Sequence, residues 1–463
     1  MIEAACAAGH PATAEAGAEI LREGGSAADA GVAACLASCV AETVMTGLLG
    51  GGHAIYWDAS SSRASNLDCF VAAPGLGEEP RDVELHHLDV PFGEELVHYA
   101  VGPASCAVPG VPAGLEALWR AHGRLPWPRL VEPALRLARD GVEFPPAHAA
   151  CLEMLAPVMT MDAGARIYAP RGELLEPGDR LEQPGLVAAL DVLAAEGAES
   201  VYRGTLAEEL LALMAERGGV VTRTDLETYA PVWSEPVEVP WLGRSFLTRA
   251  GLSLVPATVA ALPELQALGE RDRALALVDL LGADVDLPGD TTNLTVVDAN
   301  GNACVVTTSL GLGSGDFLPG YDLHLNSMLG EVDLLRGPLE AGTRMDSMMA
   351  PSLVVAADGL ELAAGAAGGT RLRTALLLAA SGVVDEGLAP VDAVERPRFY
   401  AVRGVVNAEP GVDEEALAEL ERRGRVVRRW PARHHYFGGV SLIGRTGAAA
   451  DPRRSGGVRA AAA

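Results

Sequence analysis

The sequence contains no lysine, so arginine provides all 35 of its permanently basic side chains. This absence excludes three catalytic arrangements that need a lysine amine, namely a nucleotide-phosphate loop, a Schiff base and a serine–lysine dyad. Positive charge as a whole is scarce, since 62 acidic residues leave a net charge of −27. Nucleic acids and anionic membrane surfaces bind basic patches, so neither is expected as a partner.

Paired cysteines and long apolar runs are missing as well. The seven cysteines are odd in number and form no C-x-x-C motif, which favours a reducing compartment. Cys35 and Cys39 are four residues apart in an alanine-rich segment, as expected for core packing. Asp29 and Glu42 interrupt the longest apolar stretch, and no basic segment opens the chain because its first arginine is Arg22. These features predict a cytoplasmic protein without a membrane-spanning helix.

Patterns for a metal or a nucleotide cofactor are weak. The adjacent histidine pairs at 86–87 and 434–435 lack the four-residue spacing that places two ligands on one helix face. Residues 311–315 read Gly-x-Gly-x-Gly, but Asp316 occupies the place of the third glycine in a dinucleotide-binding turn. We therefore expect no metal and no cofactor.

Apolar spacing predicts helices and strands along the whole chain. Residues 11–21 have helical periodicity and end at a Gly-Gly pair, after which Ser26 is expected to cap a second helix through residue 39. A strand is predicted at 50–57, whereas the acidic stretch 75–95 is expected to be irregular. Further helices are predicted at 114–121, 133–139, 186–195, 205–217 and 370–384, a broken helical stretch at 256–281, and strands at 352–356 and 360–364.

The most informative segment is 290–309, which reads DTTNLTVVDANGNACVVTTS. Strand-forming residues fill 294–298, and Asn300-Gly301 is a strong signal for a hairpin turn. A second strand then returns through residue 308. The pattern predicts a β-hairpin that starts at Thr291, although an ordinary threonine-rich hairpin has the same pattern because threonine is a good strand former.

Thr291 has special chemistry only if the chain is cut on its amino side. Cleavage after Asp290 would leave Thr291 with a free α-amino group beside its hydroxyl, which is a known way to activate a threonine nucleophile. The preceding stretch 283–290, ADVDLPGD, is acidic and contains glycine and proline, as expected for a loop. The hairpin is therefore a candidate for the start of a catalytic fragment.

The hairpin resembles the start of the small subunit in the γ-glutamyltranspeptidase family, where TT-x-x-x-VVD-x-x-GNA follows the processing site. Other matches occur in the family's order along almost the whole chain. They include HPATAEAGAEILREGGSAADAGVA at 10–33, the glycine-rich run at 47–52, Val108-Pro109-Gly110, EPALRLARDG at 132–141, Gly368-Gly369-x-Arg371 and Arg396-Pro397-Arg398-Phe399. Each motif is weak alone, and together they indicate membership.

The resemblance implies an N-terminal-nucleophile hydrolase with an α+β fold, a four-layer αββα sandwich. It also implies that the chain cuts itself before Thr291. The large fragment, 1–290, and the small fragment, 291–463, would then stay associated as one globular unit. The helical stretch before the hairpin is shorter than is usual in the family, so the chain is expected to be a trimmed member.

Four positions match the family's catalytic residues. Thr291 is the expected nucleophile, whose hydroxyl attacks an acyl carbon while its freed amine accepts the proton. Ser309 aligns with a threonine that hydrogen-bonds the nucleophile, although a serine that merely ends a strand looks the same. Gly368 and Gly369 resemble the oxyanion hole, and a strand-to-helix turn also favours glycine. Asn293 is a further polar candidate for the substrate site.

The substrate-binding positions depart from the family. Phe70 occupies the place of the arginine that binds the substrate α-carboxylate in the family. The exchange removes a guanidinium group that could bind a carboxylate through two hydrogen bonds, and it supplies an apolar wall instead. The other matched positions are Gly311 for an asparagine, Met328 for a glutamine or glutamate, Glu331 for an aspartate, and Ser347-Met348 for a serine pair. Asp333 is an equal candidate for the amine-binding acid. The substrate is expected to be less polar than a γ-glutamyl group, unless another residue supplies the clamp.

Three functions are compatible with these residues. The first is hydrolysis of an acyl bond, either an amide or a C–C bond, in a specialised-metabolite pathway such as the formation of 4-alkyl-proline building blocks. The second is a γ-glutamyl hydrolase or transferase that acts on glutathione-like compounds through another clamp. The third is an unprocessed binding protein without activity, against which the intact Thr-Thr hairpin and the Gly-Gly pair argue.

Overall fold

Two antiparallel β-sheets are stacked face to face in the computed structural model, and helices cover the outer side of each sheet. The structure describes residues 2–78, 83–92, 95–282, 291–331, 334–335 and 337–461. The layers follow the order helix, sheet, sheet, helix. This is the four-layer αββα sandwich of the α+β class that was expected from the sequence.

The helices form where apolar residues recur with helical spacing. They are α1 (Pro11–Arg22), α2 (Ala27–Ala41), α3 (Val111–His122), α4 (Trp127–Asp140), α5 (Pro146–Met159), α6 (Gly164–Tyr168), α7 (Gly185–Glu196), α8 (Glu199–Tyr202), α9 (Thr205–Arg217), α10 (Arg223–Thr228), α11 (Val255–Ala260), α12 (Glu270–Leu281), α13 (Arg371–Val384), α14 (Pro390–Glu395) and α15 (Glu414–Arg422). None of the described helices has the length and apolar character needed to span a membrane.

The strands alternate with these helices along the chain. They are β1 (Ala5–Ala8), β2 (Gly51–Asp58), β3 (Arg63–Cys69), β4 (His86–Phe92), β5 (Glu95–Val101), β6 (Val142–Glu143), β7 (Arg180–Leu181), β8 (Val232–Ser234), β9 (Val237–Trp241), β10 (Arg244–Thr248), β11 (Thr292–Val297), β12 (Ala303–Ser309), β13 (Phe317–Leu318), β14 (Leu323–His324), β15 (Ser352–Ala356), β16 (Gly359–Ala367), β17 (Phe399–Val402), β18 (Val405–Ala408), β19 (Val426–Arg429), β20 (Gly439–Gly444), β21 (Gly447–Ala450) and β22 (Gly457–Ala460).

The predicted hairpin occupies the middle of the first sheet. That sheet has the strand order β22-β1-β11-β12-β2-β3-β8, and the second has the order β21-β20-β16-β15-β10-β9. Thr292 is opposite Thr308 and Val297 is opposite Ala303, with Gly301 at the turn in a positive-φ conformation of +81°. The first sheet therefore mixes strands from before and after residue 290.

Side-chain alternation separates two cores along the hairpin. Val305 points inward, together with Ile55, and packs against Leu353 of the facing sheet. Val306 points outward and packs with Ala54 and the helix α2. Because both faces of the sheet are covered, the two strands of the hairpin are buried along their whole length.

Most of the predicted elements are confirmed. The first helix is α1, and Ser26 caps α2 through a capping box with Asp29. The prediction that 75–95 is irregular was wrong, because β4 pairs with β5 in this region. Val90 and Tyr99 of that hairpin are buried against Leu152 of α5, a long-range contact that stabilises strands the local composition does not favour.

Candidate active site

Thr291 directly precedes β11 at one end of the first sheet, and its side chain is 6% exposed. Thr292 pairs with Thr308, so continuing the register by one residue places Ser309 beside Thr291. Successive side chains point to opposite faces of a strand. Thr292 accordingly contacts the helix layer, and Thr291 faces the space between the two sheets. Ser309 Oγ also accepts a hydrogen bond from the Gly311 amide at 3.0 Å.

Glu42, at the end of α2, is the charged group next to this hairpin. Its carboxyl group accepts hydrogen bonds from the hydroxyls of Thr292 and of Thr13, the latter at 2.6 Å. The close approach depends on Gly9, where an added Cβ would lie 2.4 Å from Glu42 Oε2 and 2.8 Å from Thr292 Oγ1. A glycine at this position therefore lets β1, β11 and α2 meet.

Burial raises the pKa of Glu42 to about 7. The hydroxyls of Thr13 and Thr292 and the charge of Arg454 oppose this shift because they favour the ionised form. The Glu42 side chain is only 1% exposed. A carboxyl group whose pKa burial raises to about 7 thus contacts Thr292, the residue after the predicted nucleophile.

A small pocket connects these groups. Thr291, Thr292 and Asn293 form one wall, and Ala367 of β16 forms part of the opposite wall. The remaining lining residues are Ala8, Gly9, Glu42, Met45, His148, Gly439, Val440, Ser441, Asp451 and Arg454. The pocket therefore brings the start of the hairpin together with a carboxyl group and a guanidinium group.

Gly368 and Gly369 lie where β16 ends and α13 begins. Their φ angles are +122° and +60°, which favour glycine. A Cβ on Gly368 would lie 2.8 Å from the Cα of Gly438, so the backbones approach as closely as glycines permit. Ala367, the residue before the pair, lines the same pocket as Thr291. Backbone amides at the start of a helix suit the binding of an oxyanion, so the position of the glycine pair fits this role. The role itself stays a prediction.

Asn293 connects the two sheets instead of projecting into open space. Its amide nitrogen donates to Ser441 Oγ of β20, and its oxygen accepts from Thr307 Oγ1 at 2.6 Å. Gly365 makes room for it, because a Cβ there would be 2.0 Å from the Asn293 oxygen. Asn293 lines the pocket, and its side chain fixes the spacing of the sheets near Thr291.

The apolar substitutions at the predicted substrate positions share one core. Phe70 and Met328 are each 1% exposed, and Met348 packs against the same cluster. The Phe70 ring is stacked on His53 with the ring centres 5.6 Å apart. These side chains belong to or pack against a hydrophobic core, and their contact with a substrate stays a prediction.

Glu331, one of the two candidates for the amine-binding acid, lies beside Gly311. A Cβ on Gly311 would lie 2.3 Å from Glu331 Oε1 and 2.7 Å from Ser327 Oγ, so a larger residue cannot replace it without displacing the Glu331 carboxyl group. Ser347 is buried and accepts from the Met349 amide at 3.1 Å. The alternative acid, Asp333, lies outside the described residues, as does Asp290.

The contribution of the C-terminal segment was not predicted from the sequence. No element was predicted in the Gly/Ala/Arg-rich segment after residue 444, yet it forms β21 and β22 and brings Arg454 into the pocket. Arg453, beside it, is 3.2 Å from Asp451, and both side chains are buried. Two adjacent arginines after an Asp-Pro turn were the visible sign of a buried charged group, but the residues that they contact are remote in sequence.

Comparisons with known proteins agree with this geometry. A solved structure of a cephalosporin acylase from Bacillus halodurans has the same fold, with a TM-score of 0.81, 22% identity, and coverage of 99% of this chain and 96% of that one. The acylase ACY 1 proenzyme of Pseudomonas sp. (strain V22) is 29% identical over 94% of this chain and 88% of its own length.

A second relative is a glutathione hydrolase. The glutathione hydrolase proenzyme 1 of Schizosaccharomyces pombe is 26% identical over 93% of this chain and 79% of its own length. The family model for gamma-glutamyltranspeptidase matches residues 13–276 and 282–461, which is almost the whole chain. The chain therefore belongs to the gamma-glutamyltranspeptidase family of N-terminal-nucleophile hydrolases and is an enzyme of that hydrolase and transferase type.

Proposed function

We propose that this protein is a self-processing acyl hydrolase with Thr291 as its nucleophile. The observation that carries the proposal is the position of Thr291, which opens a central strand and lines a pocket with Glu42 and Arg454. In the reaction, Thr291 Oγ attacks the acyl carbon and its α-amine accepts the hydroxyl proton. Amides of Gly368 and Gly369 stabilise the oxyanion, and water then releases the acyl group.

Maturation requires cleavage of the peptide bond between Asp290 and Thr291. The Thr291 hydroxyl attacks the Asp290 carbonyl, and water opens the resulting ester to give fragments 1–290 and 291–463. Strands of both fragments alternate in the first sheet, because β1 and β2 flank the hairpin β11–β12. This arrangement supports a processed enzyme whose two fragments stay associated.

The substrate is a small molecule whose acyl group is less polar than γ-glutamyl. Phe70, Met328 and Met348 share one apolar cluster where the family carries polar groups, which supports this choice. The similarity to the Pseudomonas acylase supports an amide as the scissile bond. In the other form of this proposal, the enzyme cleaves a C–C bond. This reaction would belong to the cytoplasmic synthesis of specialised metabolites, such as 4-alkyl-proline building blocks.

The alternative is hydrolysis or transfer of γ-glutamyl groups. It is favoured by the similarity to the S. pombe glutathione hydrolase and by the retention of Ser347 and of an acid at Glu331. Turnover of γ-glutamyl-p-nitroanilide by the processed protein would support this alternative. A processed protein that hydrolyses simple acyl anilides but leaves the γ-glutamyl compound intact would support the acyl hydrolase.

The mass of the purified protein under denaturing conditions tests the nucleophile. We expect two fragments that correspond to 1–290 and 291–463, and an intact chain for Thr291→Ala. Thr292→Ala is the matched control, since it removes the neighbouring hydroxyl and leaves Thr291 in place. A wild-type chain that stays intact after prolonged incubation would contradict the proposal.

A further inference from the structure

Arg454 is a buried cation in the pocket of Thr291, and none of the roles above uses its charge. It closes a short 3-10 turn, Pro452–Arg454, which the side chain of Asp451 caps. Arg454 is 7% exposed and lines the same pocket as Thr291. The turn therefore brings a permanent positive charge to the place where self-cleavage would create a new amine.

Two glycines and a methionine fix the position of the Arg454 side chain. A Cβ on Gly439 would lie 2.3 Å from Arg454 Cγ, and a Cβ on Gly368 would lie 3.2 Å from Nη2. On another side, Nη1 donates to Met45 Sδ at 3.1 Å. The guanidinium group thus lies between the glycine pair that follows β16 and the loop that follows α2.

The charge of Arg454 acts on titratable groups around the pocket. Burial and the charges of His10 and Arg454 hold the pKa of His148 well below its ordinary value. Burial raises the pKa of Glu42 to about 7, and the charge of Arg454 opposes that shift. Both effects have the sign expected of a nearby cation, which disfavours a second positive charge and favours a negative one. An amine on Thr291 would come under the same influence.

The other ionisable groups that line the pocket do not reverse this influence at neutral pH. Asp451 is already paired with Arg398 and, at 3.2 Å, with Arg453. His148 is neutral, because its pKa lies well below the ordinary value. Glu42 is protonated below about pH 7, and only its ionisation above that pH would favour a protonated amine.

A threonine α-amine needs such an environment to act as a base near neutral pH. An ordinary α-amino group has a pKa of about 7.7 to 8.0, so roughly one amine in ten is neutral at about pH 7. Only the neutral amine can accept the proton of the Thr291 hydroxyl during its attack. A nearby cation lowers the pKa of an amine by about one unit, which raises the neutral fraction to about one half.

We propose that Arg454 keeps the freed α-amine of Thr291 neutral and so maintains the base of the reaction. Thr291 Oγ then forms its bond to the acyl carbon while the hydroxyl proton passes to the amine nitrogen. The ammonium group returns this proton to the leaving group and is neutral again. Arg454 acts through the amine and not on the substrate, so it is a positioning residue. This role rests on the proposed acyl hydrolase activity.

The absence of lysine makes the amine of Thr291 directly measurable. Each fragment of the cut protein carries one amine, the α-amine at its own start. Cyanate carbamylates neutral amines, and mass spectrometry follows this modification separately on fragments 1–290 and 291–463. The dependence of each rate on pH gives the pKa of each amine. We expect the Thr291 amine to titrate about one pH unit or more below the amine of the large fragment.

Three variants separate the charge of Arg454 from burial as the cause. Arg454→Met should raise the pKa of the Thr291 amine by about one unit. Arg454→Lys retains the charge and should keep the wild-type value, and peptide mapping distinguishes its side-chain amine from the α-amine. Arg459→Met is the matched control and should change nothing, because this arginine of the same segment pairs with the exposed Glu15 at 3.2 Å.

The same masses separate the failure of this role from the failure of the proposed function. A wild-type chain that is not cut has no Thr291 amine and would remove both proposals. In a cut protein, a Thr291 amine that titrates like the amine of fragment 1–290, or that does not shift in Arg454→Met, would overturn the role of Arg454 and leave the acyl hydrolase standing. If Arg454→Met is not cut, fragments 1–290 and 291–463 are produced together as separate chains, and the titration of that complex decides.

Discussion

Replacing Glu42 by glutamine tests whether the carboxyl group beside Thr292 titrates near neutral pH. Folding raises its pKa from 4.5 to about 7 because the group is buried. The protonated form is therefore favoured in the folded state. Its stabilising contribution is complete below pH 4.5 and is lost as the pH rises through about 7.

The two pKa values set the size of the effect. Their difference corresponds to about 3 kcal/mol of unfolding free energy once the carboxyl group is ionised in both states. From about pH 5.5 to about pH 8.5, about 2 kcal/mol of this contribution is lost. Glutamine stays neutral, so the stability of Glu42→Gln relative to its parent should rise by that amount. Rearranged hydrogen bonds to Thr13 and Thr292 also change the unfolding free energy of the variant, by an amount that is the same at both pH values.

Guanidinium unfolding at the two pH values measures this difference. Both proteins carry Thr291→Ala, so that each is a single uncut chain. Glu216→Gln is the control, because this carboxylate lies on the exposed face of α9 and should give the same small difference at both pH values. A Glu42→Gln difference that does not change with pH would refute the inference that burial keeps Glu42 protonated near neutrality.

Two further substitutions test the glycine pair and the C-terminal segment. Gly368→Ala should abolish hydrolysis and processing, because it combines a φ of +122° with a Cβ that would lie 2.8 Å from another backbone. Gly387→Ala is the control and should leave activity unchanged, since Gly387 has a φ of +70° but open space around it. Arg453→Met should lower the unfolding free energy by about 3 to 5 kcal/mol, since it removes the buried guanidinium that pairs with both Glu409 and Asp451. Arg445→Met removes an ion pair with an exposed aspartate and should cost at most about 1 kcal/mol in the same denaturation assay.

The sequence predicted the parts of the fold that local residues determine. The hairpin follows from strand-forming residues on both sides of Asn300-Gly301, and α2 follows from the Ser26 cap and its alanine-rich repeat. The β4–β5 hairpin was missed, since its strands depend on burial of Val90 and Tyr99 against a remote helix. Local composition carries no information about such contacts.

The site was predictable to a similar extent. Thr291 and the glycine pair could be found from the family's motifs, because these residues occur within short, ordered patterns. The partner of Thr292 could not, since Glu42 is 250 residues from Thr292 in sequence. Long-range pairing of this kind is set by the register of the sheets rather than by any local motif.

In the first sheet, strands from before residue 290 flank strands from after it, and this order decides whether the sheet forms from one polypeptide or from two. An uncut chain assembles β1, β11, β12 and β2 in an intramolecular process. After the proposed cut, the same sheet can form only when two separate polypeptides meet, so recovery from denaturation becomes a second-order process that depends on concentration. A fragment 291–463 on its own would also present both sides of its hairpin as unpaired edges, which invites aggregation. The uncut chain would thus act as its own folding template, and the cut form would depend on slow unfolding rather than on easy reassembly.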